Sequence, residues 1–466
     1  MTKDIRGSGA FFYRKMIMIA FPVMLQNLIS IGLNLIDTLM IGRVGVDELA
    51  AVGAANQVYF IFSMTAFGIY SGAAVYTAQF WGAQDISGIR KVVGIDFAVG
   101  GTMALCFTVG AFFGAPHILW LFAKDPEVIA YGTQYLRLVC FSYVFTALSY
   151  VLSFNSRSIQ RLAGPTCINA AAMLVNTVLN YGLIYGNLGM PRLGVRGAAL
   201  ATLIARITEF SVLIIYIYHD RSHPLAASFK ELTSFGSDMF RKVMKTALPV
   251  VISEGTWSIA TSAYFIAYGI LGASALAVAQ VASVVNEFSQ SIYFGLGNAA
   301  AVMIGEKLGQ GRTDEVEMDA KRVLNIVMVM NFIVTLALIS VRGPIASFYR
   351  FDGATTELLK STLFVWALFI TPKMFEYLLI CGILRAGGDT RFCMVVDVLG
   401  NWLVGLPMAF AGVTLFHFPL PLVVAMVSSA DILKAIICWY RYKQKKWICV
   451  LVDTREDEPE KGEITP

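Results

Sequence analysis

Long apolar stretches separated by short polar turns run almost from end to end of this chain. A helix rises about 1.5 Å per residue, so about 20 apolar residues cross roughly 30 Å of hydrocarbon. Twelve stretches have that length: 16–41, 50–78, 92–115, 132–154, 167–186, 196–218, 245–271, 276–303, 323–341, 360–384, 392–415 and 419–440. The runs are unbroken, whereas a barrel would show short alternating segments. The pattern therefore predicts an all-α membrane protein with twelve transmembrane helices.

The pattern also repeats. One ungapped offset carries Arg14-Lys15 onto Arg241-Lys242, Pro22-Val23 onto Pro249-Val250, Gly42 onto Gly269, Gly45 onto Gly272, Phe67-Gly68 onto Phe294-Gly295 and Gly82 onto Gly309. Glycine and proline recur where backbone geometry is demanding, which marks a structural repeat. Six spans per copy return the chain to one side, so the copies are parallel bundles related by an axis along the membrane normal. In transporters built this way the substrate site lies between the copies.

Composition agrees. Of 466 residues 57% are hydrophobic and 14% charged, and the mean hydropathy of +0.67 excludes a soluble domain. Met16 to Ile41 is too long for a signal-peptide core and reads as a retained first span. The seven cysteines are scattered without a CxxC pair, so neither a disulfide framework nor a zinc site is expected. The formal charge of +5 is spread over many loops rather than one face, which argues against a nucleic-acid partner and instead sets topology.

Arg90-Lys91, Arg157, Arg161, the 219–245 segment, Lys307 to Arg322, Arg385 and Arg391 fall in turns on one side, with Arg441, Lys443, Lys445 and Lys446 beyond the last span. The other side holds chiefly Arg43, Lys124, Arg192, Arg196, Arg342 and Arg350. Basic loops stay inside, which predicts a plasma-membrane protein with both termini cytoplasmic. The expected organisation is a cytoplasmic N-terminus 1–15, an N-lobe 16–218, a linker 219–244, a C-lobe 245–441 and a cytoplasmic acidic tail 442–466, disordered above all from Asp453 onward.

A charge at the bilayer centre costs at least ~3 kcal/mol, so each intramembrane ionisable group needs a partner, water or a purpose. Asp37 lies about one turn before the end of the first span. Asn176 and Asn180, four apart, share a face of the fifth span, and Thr202 enters the sixth span at matching depth. One carboxylate, two amides and a hydroxyl suit a hard cation such as Na+, and a carboxylate alone suits H+. The bland alternatives are a wetted acid for Asp37 and interhelical hydrogen bonding for the other three. Glu254 lies near the middle of the seventh span and has Asn27, not an acid, as its repeat mate, so it is a second candidate for proton or cation binding. Glu287, Glu376, Asp397 and Lys373 follow. The spacing suggests that Lys373 pairs with Glu376 and Arg206 with Glu209. Tyr59, Phe60, Trp257, Tyr264, Tyr268 and Phe294 could offer ring faces to organic cations; the alternative is that they are lipid-facing or packing side chains.

No phosphate loop, HExxH or nucleophile elbow occurs, and the four histidines fall in loops or at span ends. No enzyme activity and no cofactor are expected, and transport would draw on an ion gradient.

FPVMLQNLISIGLNLIDTLMIGRVG, NTVLNYGLIYG on the fifth span, ALPVVISEGTW opening the second lobe and ILRAGGDT before the eleventh span resemble, in order and spacing, the multidrug and toxic compound extrusion (MATE) family. The resemblance covers essentially the whole chain except the acidic tail. It implies two six-helix bundles forming a V-shaped cavity, acting as a monomer in the lipid bilayer. It further implies antiport of small lipophilic organic cations against Na+ or H+. Carried over by position, it implies a cation site at Asp37, Asn176, Asn180 and Thr202, and the seventh-span acid at Glu254. It departs at Asn180, where some relatives carry aspartate, and at Glu376, which is displaced from the tenth-span acid of one branch. A lipid-linked oligosaccharide flippase shares the helical plan but would need a basic cavity, whereas the mid-span charges read as mainly acidic. An exporter of an endogenous metabolite is the other alternative.

Overall fold

A computed structural model describes residues 9–122, 125–349 and 351–452. Every regular element among the described residues is helical. In the first half these are α1 (Gly9–Gly42), α2 (Val46–Ala83), α3 (Ile86–Phe122), α4 (Pro126–Val139), α5 (Phe141–Ser158), α6 (Ala163–Tyr185) and α7 (Val195–His219). A short α8 (Phe229–Leu232) lies in the linker. The second half has α9 (Ser237–Ile270), α10 (Ala273–Gly309), α11 (Thr313–Phe348), α12 (Gly353–Tyr377), α13 (Thr390–Leu399), α14 (Leu406–Thr414) and α15 (Leu420–Lys443). Wider π-helical stretches at Leu378–Leu384 and Gly400–Gly405 prolong α12 and join α13 to α14.

Each expected span falls on one helix or one continuous pair. Among the described residues nine helical stretches are long and apolar enough to cross a membrane. The α4–α5 pair, bent by 44° at Cys140, makes a tenth. The other two spans are α9 and α10, of 34 and 37 residues, long enough but diluted by polar positions such as Ser253, Glu254, Ser258 and Glu287. The protein is an integral membrane protein. Local signals set the helix ends: Asp125 accepts from the Glu127 backbone N–H beside Pro126, and Gly186 ends α6 in the left-handed conformation.

The sequence repeat becomes a pseudo-two-fold axis. Helix α2 packs on α9, its counterpart α10 packs on α1, and α2 and α10 meet each other. Phe67 and Phe294, repeat mates, touch with ring centroids 5.8 Å apart. Gly82 lies against the backbone of Glu306, while Gly309 lies against the backbone of Gln79, which occupies in its own copy the place of Glu306. Neither site has room for a Cβ. These contacts gather at the end where α1 begins and α15 finishes, here called the basic end. Lys15 reinforces it through an ion pair of 2.6 Å to Glu306, which Gln160 also meets at 2.6 Å.

The linker docks on the N-lobe. Ser228 and Glu231 form a reciprocal capping box at α8, Arg90 of α3 pairs with Glu231, and Leu225 is buried. The expectation of a disordered tail from 442 is corrected as far as Val452. Trp447 is completely buried, Gln79 holds both the Cys449 carbonyl (3.1 Å) and the Leu451 N–H (2.7 Å), and Val452 is buried against α2 and α3. Apolar burial of this segment outweighs its polar flanks. Residues 453–466, Lys124 and Arg350 lie outside the described residues.

Candidate functional site

In the N-lobe, α1, α6 and α7 bring Asp37, Asn176, Asn180 and Thr202 together near the end opposite the basic one. Asn180 Nδ2 donates to Asp37 Oδ1 at 2.9 Å. Asn176, oriented so that both ends of its amide find complementary partners, donates to Asp37 Oδ2 at 2.9 Å and accepts from the Thr202 backbone N–H at 3.2 Å. Both carboxylate oxygens are thus engaged by one helix, α6, through a four-residue repeat on one face. Asn180 is buried and its Oδ1 has no hydrogen-bond partner. An orphan acceptor beside a carboxylate is a place that a cation or a proton-bearing group would satisfy. On α7 below, Arg206 pairs with Glu209 at 2.6 Å, and Asn169 donates to the same carboxylate at 2.7 Å.

In the C-lobe, Glu254 does not stand alone. Arg385, which follows the π-helical stretch after α12, is 3% exposed and donates to Glu254 Oε1 at 3.0 Å. Next to Glu254, Ser253 donates to Asp397 at 2.6 Å. Lys434 of α15 approaches Glu376 at 3.2 Å, Asp431 at 3.2 Å and Asp397 at 3.8 Å. The expected pairing of Lys373 with Glu376 is therefore corrected: the three-residue spacing is outcompeted by a lysine from a neighbouring helix. Glu287 is exposed.

A family profile described as MatE matches residues 22–182 and again 249–411, one match in each copy of the repeat. The chain belongs to the MatE family. It is 27% identical over 410 residues to a probable multidrug resistance protein NorM of Bradyrhizobium diazoefficiens, covering 86% of each chain. It is 27% identical over 405 residues to the multidrug resistance protein NorM of Burkholderia vietnamiensis, covering 84% of this chain and 85% of that one. A solved structure of a multidrug resistance MATE family transporter in an outward-facing conformation matches with a TM-score of 0.84 at 17% identity, covering 92% of this chain and 95% of that one. The chain is a MATE-family membrane transporter.

The aromatic candidates of this MATE chain separate. Phe294 lies between the lobes, stacked on Tyr377 at 5.6 Å. Tyr59 packs inside the N-lobe against Phe62 and Tyr143, and Tyr264 donates to the Asn401 carbonyl at 3.3 Å inside the C-lobe. Tyr268 is 5% exposed in the C-lobe core, which corrects its expected role of offering a ring face to an organic cation. Trp257 and Phe60 are half-buried.

The reading of the mid-span charges as mainly acidic is also corrected. Arg157 and Arg385 sat at the ends of apolar runs and read as turn residues, yet both project between the lobes. Asp96 is a further intramembrane charge: it is 1% exposed, accepts from Asn155 at 2.8 Å, and Asn155 accepts from Thr77 at 2.6 Å. Its signal was a lone acid within the apolar run from Val92 to Val99.

Proposed function

We propose that this protein is a secondary antiporter that exports organic compounds from the cell in exchange for Na+ or H+, with the ion bound at Asp37. The observation that carries the reading is the Asp37 cluster. Two amides hold the carboxylate in place, and the buried Asn180 Oδ1 beside it is left for an incoming ion. Asn180, Thr202 Oγ1 and Asp37 would supply the oxygens a Na+ needs, and Asp37 alone could take H+.

Basic loops favour the cytoplasm. With the basic end taken as cytoplasmic, the close Gly82 and Gly309 contacts there fit an outward-facing state. Na+ or H+ entering from outside neutralises Asp37 and alters how α1 is held by α6. The lobes then part at the basic end, the ion leaves to the cytoplasm, and substrate loads. Coupling requires that ion and substrate favour different states. The names of the NorM relatives support multidrug extrusion as the activity.

The test is dye export in energised membrane vesicles. Asp37→Asn keeps the size of the side chain but removes its charge and turns one of its two acceptor oxygens into an N–H donor, and export is expected to fall at least tenfold. Export at the wild-type rate would remove Asp37 from the mechanism.

A further inference from the structure

Arg157 of α5 belongs to the N-lobe and donates across the lobe boundary to Asn298 of α10 at 2.8 Å. Arg385 belongs to the C-lobe and reaches the other way, to Ser71 of α2 at 3.4 Å. Ser71 and Asn298 are repeat mates, so the two arginines are exchanged reciprocally across the pseudo-two-fold axis. Both line one small cavity between the lobes, together with Phe154, Ala301 and Cys381.

The two guanidinium groups are satisfied unequally. Arg385 has the Glu254 carboxylate, but its Nε is buried without a partner. Arg157 has a neutral amide oxygen and the Phe154 ring, 4.9 Å from its guanidinium carbon, and no carboxylate pairs with it among the described residues. A guanidinium group presents five donors in a planar fork that matches a carboxylate or phosphate, and desolvated charges call for a counter-charge. Helix packing alone would be met as well by uncharged residues.

We infer that Arg157 and Arg385 together recognise an anionic group, a carboxylate or phosphate, on the transported compound. Glu254 stands in for that group on Arg385 while the basic end is closed. Separation of the lobes at the basic end breaks the Arg157–Asn298 and Arg385–Ser71 bonds and presents both forks to the side from which an exporter loads. The substrates then include zwitterionic and anionic compounds and are not confined to the organic cations expected from the sequence. This inference rests on the export reading and narrows its substrate class.

A matched dye pair tests it: a rhodamine with a free carboxylate, and its ethyl ester, which is a pure cation. Binding to the purified protein is read by fluorescence anisotropy. The acid is expected to bind at least tenfold more tightly than the ester. Arg157→Gln is expected to remove about tenfold of acid affinity and leave the ester unchanged, the scale of one charge-assisted hydrogen bond, and Arg157→Lys to restore part of it. Equal or tighter binding of the ester, no binding of the acid, or equal loss of both dyes in Arg157→Gln would overturn the inference. Export of the ester from vesicles reports the antiport reading separately, so that reading can survive this result. Repeating the titration in phosphatidylcholine and in phosphatidylglycerol nanodiscs identifies the source of the anion. An acid affinity that falls only in phosphatidylglycerol assigns the forks to a lipid headgroup, and an affinity equal in both assigns them to a soluble organic acid.

Discussion

Arg157 and Arg385 cross the boundary between the lobes in opposite directions, one to Asn298 and the other to Ser71, positions that coincide when the two copies of the repeat are overlaid. The symmetry ends at the carboxylate: Glu254 holds Arg385, and its repeat mate is Asn27.

The Glu254–Arg385 pair is largely withdrawn from water, with side chains 16% and 4% exposed. Removing one member of a buried pair leaves an uncompensated charge, a loss of ~3–5 kcal/mol. Glu254→Gln is therefore expected to lower the unfolding temperature in detergent clearly. The double variant Glu254→Gln with Arg385→Gln should recover part of that loss. A double variant as unstable as the sum of the two single variants would show that the residues do not act as a pair.

Gly82 and Gly309 set how closely the lobes approach at the basic end. A Cβ at either position would run into backbone of the other lobe, which cannot move aside as a flexible side chain can. Gly82→Val and Gly309→Val are expected to open this end. Cys381, in the cavity between the lobes, is a reporter: with the other six cysteines replaced, its labelling by a maleimide should accelerate severalfold in either valine variant. Unchanged labelling would mean that the contact does not govern access.

Trp447 is fully buried between the turn after α12 and the end of α15, with its ring 5.9 Å from Tyr442 and its indole N–H given to the Tyr442 carbonyl at 3.2 Å. Trp447→Ala is expected to cost ~3–5 kcal/mol, as large-to-small changes in packed cores do. Thermal unfolding should show a markedly lower transition, and a shift within error would place the segment outside the cooperative core.

The linker carries a pH dependence. Burial, aided by Arg161, pushes the His223 imidazole down to about 4 from an ordinary value of 6.5. Its folded pKa is depressed, so the undocked segment binds the proton more readily, and docking is fully favoured above about pH 6.5 and weakens as pH falls toward 4. Hydrogen exchange of the 222–232 amides, corrected for intrinsic rates, should rise over that window and do so less in His223→Gln. Glu231, held near 2 by its bonds to Ser228 and Arg90, stays charged throughout.

The sequence patterns read best where one helix decides the outcome. Asn176 and Asn180 share a face because they are four apart on α6, and depth along three spans sufficed to bring Asp37 and Thr202 to them. The twelve spans and the repeat were legible because burial in lipid imposes length and the repeat reuses glycine positions. Arg157 and Arg385 were not legible. Each stands at the end of an apolar run, where a loop charge and an inter-lobe charge look alike, and only the pseudo-two-fold axis turns them toward one cavity. Lys434 displaced Lys373 as the partner of Glu376 for a similar reason, since local spacing cannot see a helix that returns from elsewhere in the lobe. Trp447 lies beyond the last apolar run, where periodicity carries no signal.

Ion coupling at Asp37 is tested most directly by gradient-driven dye efflux from proteoliposomes, with Na+ and pH gradients imposed separately. An inward gradient of one of these ions is expected to drive efflux in the wild type, and Asp37→Asn is expected to abolish the response. Efflux indifferent to both gradients, or equally driven in Asp37→Asn, would contradict it.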